Sequence, residues 1–254
     1  MELTPAAVLA FGSTVLYYNF HDISAKIDFS SFRAFKNSLR KDLLSTSELI
    51  IIGFCIALLI TNALLLHPDV LIIISLIAAL SLLYSVPLIP FKGKWIRIRE
   101  ILYFKLSVVA FCWALMAVLL PVFEAGIGLR EHILYIQLIA VGLFIFALCI
   151  PFEIRDVNLE KSRGLRTIPI VHGIRVARMS AVLALFLSVA LYFYLYRINI
   201  ISVYFFFSFL ISALLSMLMI SYSNNKPSDF YCKFYIDGLM IFQFLLVLLS
   251  LNFR

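Results

Sequence analysis

Long apolar runs separated by short, mostly basic connectors succeed one another along this chain from end to end. The runs fall near residues 4–18, 47–66, 69–86, 101–121, 132–151, 176–196, 199–222 and 235–252. Crossing the hydrocarbon core of a bilayer takes about 20 helical residues, which most of these runs supply, whereas barrel strands would appear as shorter alternating segments. The pattern predicts an all-α fold, a polytopic transmembrane helical bundle of eight spans in one domain over residues 1–254. The first run is short, but Met1-Glu2 gives it no basic flank of the signal-peptide kind, so it is expected to belong to the fold.

Polar positions interrupt the pattern most densely after the fifth run, in the stretch PFEIRDVNLEKSRGLRTIPIVHG from Pro151 to Gly173. Glu153, Asp156 and Glu160 follow helical spacing there, which places three carboxylates within an arc of about 60°. Such a face suits a divalent cation. A smaller cluster, YYNFHDISAKID, closes the first run and sets Asn19, Asp22 and Lys26 on one face. Adding 134 to those three positions gives Glu153, Asp156 and Glu160, and the same offset carries runs two and three close to six and seven. The chain therefore reads as two parallel four-span halves, 1–121 and 132–252, with the polar faces expected to converge on one cavity.

Composition fixes the solvent. With 63% hydrophobic residues, 14% charged residues and a mean hydropathy of +1.05, the chain lacks the polar surface of a soluble globule and is expected in the lipid bilayer. The net charge of +7 does not mark a nucleic-acid binder, because its placement is topogenic. All Lys and Arg except Arg130, Arg197 and Arg254 fall in or beside the loops that follow odd-numbered runs, which predicts those loops on the cytoplasmic side and both termini outside. Cys55, Cys112, Cys149 and Cys232 stand singly, and the four histidines form no cluster, so neither disulfides nor a zinc site is indicated.

Acidic and amide-bearing helix faces, basic loops and a greasy body together fit a ligand with an anionic head and a long apolar tail, such as a polyprenyl diphosphate. Mg²⁺ prefers oxygen ligands and is commonly shared between one or two carboxylates and substrate phosphates. The run Glu153-Ile-Arg-Asp156-x3-Glu160-x3-Gly164-x-Arg166-Thr167-x-Pro169 resembles the second aspartate-rich motif of the UbiA-type membrane prenyltransferases. Tyr84-Ser85-Val86-Pro87, with Lys92 beyond it, resembles the family's YSxP segment. The resemblance implies a ring of transmembrane helices and Mg²⁺-dependent transfer of a prenyl group from its diphosphate to an aromatic or other lipid-pathway acceptor in the membrane.

By that resemblance Asp156 and Glu160 are Mg²⁺ ligands with catalytic weight, joined by Glu153, Asn19 and Asp22. Arg166, Arg155, Lys26, Tyr84 and Lys92 are the candidates for binding the substrate. The chain departs from the family at its first motif, normally N-D-x2-D-x3-D, where only Asn19 matches and Phe20, Ile23 and Ile27 stand in for the aspartates. It also shows eight runs where the family usually has nine, which reads as a missing leading helix. The rival expectation is a catalytically impaired relative that binds an isoprenoid lipid or serves as a membrane partner or transport component. Asp237, at the start of the last run, is an intramembrane acid and a further candidate.

Overall fold

A computed structural model describes residues 4–26, 45–64, 66, 68–87, 89–91, 94–101, 103–126, 131–162, 164–223 and 227–250. Its helices are α1 (Pro5–Lys26), α2 (Thr46–Ala63), α3 (Pro68–Ser85), α4 (Phe104–Ala114), α5 (Leu120–Glu124), α6 (Glu131–Ser162), α7 (Ile168–His172), α8 (Ile174–Arg197), α9 (Val203–Tyr222) and α10 (Asp237–Ser250). Wider π turns at Leu115–Leu119 and Tyr231–Ile236 lead into α5 and α10. Each predicted run has its helix. Among the described residues seven stretches are long and apolar enough to cross a membrane, while the apolar part of α1, Ala7–Tyr17, is shorter. The pattern did not announce the small antiparallel ribbon of β1 (Ile89–Phe91) and β2 (Lys94–Ile96), too short to register as alternation.

The chain forms two compact units. The first holds α1, α2, α3, the ribbon and α5; the second holds α4 and α6 to α10. In the first, α2 begins with a capping box in which Ser45 and Glu48 satisfy each other's backbone N–H. Helices α1 and α2 pack closely at Gly12, where a Cβ would meet Leu59 and the Cys55 carbonyl at ordinary contact distance. In the second, Ala140, Ala147, Ala177, Ala181 and Ala184 are buried between α6 and α8 and its neighbours. Lipid tails are as apolar as leucine, so close approach through small residues and interhelical hydrogen bonds must hold such helices together. Ser188 Oγ donates across to the Ala140 carbonyl at 2.7 Å, and Ser208 Oγ donates to Leu246 at 3.1 Å between α9 and α10.

Helix α6 positions the site. Its 32 residues rise about 48 Å, well beyond a hydrocarbon core of about 30 Å, so one end must project from it. The apolar sequence from Ile133 to Phe152 is long enough to fill that core, and the helix runs on through the charged turns Glu153–Ser162 without a break. Pro151 removes one backbone donor but does not end the helix. What ends it is Gly164: at φ +71° it takes the left-handed conformation, Gly164 N–H bonds the Lys161 carbonyl, and Leu165 N–H bonds the Glu160 carbonyl. That is a Schellman closure, and it gives the glycine of the matched run a physical role.

Candidate active site at the end of α6

The second unit brings Glu153 and Glu160 together on one cation, the ammonium of Lys105. Nζ lies 2.5 Å from Glu153 Oε1 and also donates to Glu160 Oε1. Glu153 and Glu160 are 2% and 5% exposed, so both charges are withdrawn from water. Burial of two carboxylates is tolerated only against an opposing charge, and the lysine supplies it. Glu160 Oε2 is buried with no hydrogen-bond partner, as is Thr167 Oγ1 in the turn beyond. The cluster thus keeps an acceptor that its lysine does not satisfy.

Lys105 is held in place from its own side. It sits in the first turn of α4, and the residue before that helix, Tyr103, has φ +70°, a conformation that costs a bulky side chain about 1–3 kcal/mol. The compensation is visible: Tyr103 Oη shares a 2.6 Å hydrogen bond with His172 Nε2, and the rings stack. His172 closes α7, the short helix after the matched run. By its place in the sequence Lys105 is one of the basic residues that set topology. A lysine opening the apolar sequence LSVVAFCWAL was the available signal.

Asp156 follows a different path. Arg155 grips it through Nε–Oδ1 at 2.7 Å and Nη2–Oδ2 at 2.9 Å, reaches Asp229 at 3.4 Å, and lies over the Phe152 ring. The three carboxylates of the run therefore engage two cations, with Glu153 and Glu160 on one and Asp156 on the other. Arg166 is exposed in the turn between α6 and α7. Asp237 opens α10 just after its π turn.

In the first unit, Asn19 lies on α1 and spends its Nδ2 on the Val15 carbonyl at 2.9 Å. Asp22 and Lys26 belong to the same helix, but their side chains, like all of Lys92, lie outside the described residues. Tyr84 is half-buried near the end of α3. Tyr192, an aromatic near the core of the second unit, packs 4.1 Å from Phe209.

Two carboxylates with a spare oxygen are a donor set that Mg²⁺ accepts when other oxygens complete its shell. Among the described residues no group of three or more His, Cys, Asp or Glu could hold a metal by itself. The Glu153–Glu160 pair therefore fits a cation shared with an anionic ligand.

A model of the UbiA prenyltransferase family matches residues 36–244. The chain belongs to the UbiA prenyltransferase family. Its fold is that of solved UbiA structures. The apo UbiA homolog from Aeropyrum pernix K1 is 17% identical with a TM-score of 0.67, the match covering 97% of this chain and 88% of that one. A UbiA homolog from Archaeoglobus fulgidus bound to DMAPP and Mg²⁺ is 16% identical with a TM-score of 0.56, covering 99% of this chain and 88% of that one. A structure described for digeranylgeranylglyceryl phosphate synthase in membranes gives 16% identity, a TM-score of 0.58, and coverage of 97% and 82%. No curated protein matches the sequence. Seven membrane-length apolar helices among the described residues, together with membership of the UbiA family, make this an integral, multi-pass membrane protein.

Proposed function

We propose that this UbiA protein is a Mg²⁺-dependent prenyltransferase that moves a prenyl group from its diphosphate to a membrane-soluble acceptor. The observation that carries the reading is the convergence of Glu153 and Glu160, both buried, on one cation at the projecting end of α6. The A. fulgidus homologs bound to DMAPP or GPP with Mg²⁺ support the ligand class. Glu153 and Glu160 would hold the metal, with Asp156 as the further candidate on α6; Asn19 and Asp22 on α1 are candidates by the family resemblance alone. A bound divalent cation neutralises charge growing on the diphosphate as its bond to carbon breaks. Arg166, exposed beside the helix end, would meet the diphosphate from water. Arg155 holds Asp156 through its guanidinium, and small buried residues pack behind α6. By the bias of basic residues, this end faces the cytoplasm.

A second reading rests on specific observations: Lys105 already engages Glu153 and Glu160, Arg155 already engages Asp156, and the first motif lacks the family's aspartates at Phe20, Ile23 and Ile27. Under it the chain binds an isoprenoid lipid, or serves as a membrane partner or transport component, without turnover. Incubating the purified protein with DMAPP or GPP and Mg²⁺ and measuring inorganic pyrophosphate separates the two. The transferase reading expects release that Glu160→Gln and Asp156→Asn abolish. Metal-independent binding of the prenyl diphosphate with no release would establish the second reading instead.

A further inference from the structure

The ammonium of Lys105 lies where a cation bound by Glu153 and Glu160 would have to lie. We propose that Lys105 is a built-in competitor of the divalent cation: it occupies the carboxylate pair in the resting protein and must withdraw before a metal can bind there. This rests on the metal-dependent reading above, deepening it to say how that half of the site is loaded.

Four observations support the exchange. Both glutamates meet the ammonium through their Oε1 atoms, so lysine and metal would use the same oxygens. Two carboxylates face one ammonium, and Glu160 Oε2 is left buried without a partner, so the lysine satisfies the cluster incompletely. Lys105 is also the most accessible member: its side chain is 21% exposed against 3% and 7% for the glutamates, which leaves it a way out. Finally, a lysine is a point charge on a flexible four-carbon stem, able to swing away while its backbone stays fixed, whereas a guanidinium fork would be committed to its geometry. Two residues before it, Tyr103 is tied to His172 by a side-chain hydrogen bond. Withdrawn from the glutamates, the ammonium is free to pair with an anionic ligand that arrives with the metal. One residue would then neutralise the empty site and contribute a charge to the filled one.

The test uses Mn²⁺ alone as probe, with no prenyl substrate, on the full chain in nanodiscs, reading bound metal by electron paramagnetic resonance. Removing one nearby positive charge and the steric competitor in Lys105→Met should tighten Mn²⁺ binding by at least about tenfold. Should that variant fail to fold, the same comparison holds between Glu153→Gln and the double variant Glu153→Gln/Lys105→Met, whose buried cluster keeps the wild-type net charge. The double variant should bind Mn²⁺ at least about tenfold more tightly than the single one. Unchanged or weaker Mn²⁺ binding on removing Lys105, in a folded protein, overturns the proposal. Turnover is not involved, so the two readings fail separately. Tightened Mn²⁺ binding without pyrophosphate release would sink the transferase and leave the competitor standing; release with metal affinity indifferent to Lys105 would do the reverse.

Discussion

Two ion clusters leave the same end of α6, and they are built on opposite principles. Lys105 with Glu153 and Glu160 is buried, joins two helices distant in sequence, and leaves an acceptor over. Arg155 with Asp156 and Asp229 is partly solvated: the Asp156 side chain is 30% exposed and that of Asp229 is 72% exposed. In the second, adjacent residues pair through a bidentate fork that water already half-stabilises. In the first, each charge depends on the others because water cannot replace them. Helical spacing makes Glu153, Asp156 and Glu160 look like one set, yet what faces each carboxylate decides its energetics. Removing a partner from a buried pair leaves an uncompensated charge, while a solvated pair is worth little in either direction.

The largest expected effect therefore comes from taking the cation out of the buried cluster. Lys105→Ala should lower stability by about 3–5 kcal/mol, read as a drop in the unfolding transition in detergent. Neutralising the carboxylates with it, in Glu153→Gln/Glu160→Gln/Lys105→Met, should recover most of the loss. A triple variant as unstable as Lys105→Ala would mean that packing, not charge, holds the cluster. Next is Gly164→Ala. Open space surrounds the site of the new Cβ, so the cost is conformational, about 1–2 kcal/mol for forcing an L side chain to φ +71°. Because Leu165 N–H caps the Glu160 carbonyl through this turn, exchange of the Leu165 amide should quicken with it. Asp156→Asn comes third. It should shift stability by less than about 1 kcal/mol, since Arg155 keeps Asp229, while the transferase reading expects it to abolish pyrophosphate release. Loss of release with stability intact would mark Asp156 as functional rather than structural.

The order of spans was legible because hydrophobic length is a local property: each run became its helix, and α6 continued through its charged turns as the spacing of Glu153, Asp156 and Glu160 required. Gly164 was legible as part of a motif, though its physical reason, a left-handed closure of α6, needed the backbone. Lys105 was legible only as a charge opening an apolar run, and its partners were not. It lies 55 residues from Glu160, and no periodicity links them. The division of the three carboxylates was hidden for a related reason, since spacing gives the face on which a side chain starts and not the partner it reaches. Arg155, a candidate for the substrate by resemblance, turns to its neighbour Asp156 in the structure, a contact that spacing does not announce. Tyr103 is a further case: a tyrosine in left-handed backbone contradicts local preference, and its contact with His172, 69 residues away, leaves no mark in the pattern.

The smallest effect is the one that sharpens the comparison most. Asp229 touches both Arg155, at 3.4 Å, and Lys233, at 3.8 Å one turn along, which would make it the hub of a charge network if number of contacts measured importance. Its exposure argues otherwise. Water solvates the carboxylate in the folded protein nearly as well as in the unfolded one, and salt screens what remains. Asp229→Asn should therefore move stability by no more than about 0.5 kcal/mol, and the shift should vanish at high salt. The double variant Asp156→Asn/Asp229→Asn strips Arg155 of both carboxylates, and because that guanidinium is itself partly exposed and rests on Phe152, it should cost little more than the sum of the two single changes. A large non-additive loss would show that the Arg155 cluster is shielded from solvent in the bilayer. The contrast between the two ends of this charge pattern would then collapse into one buried network.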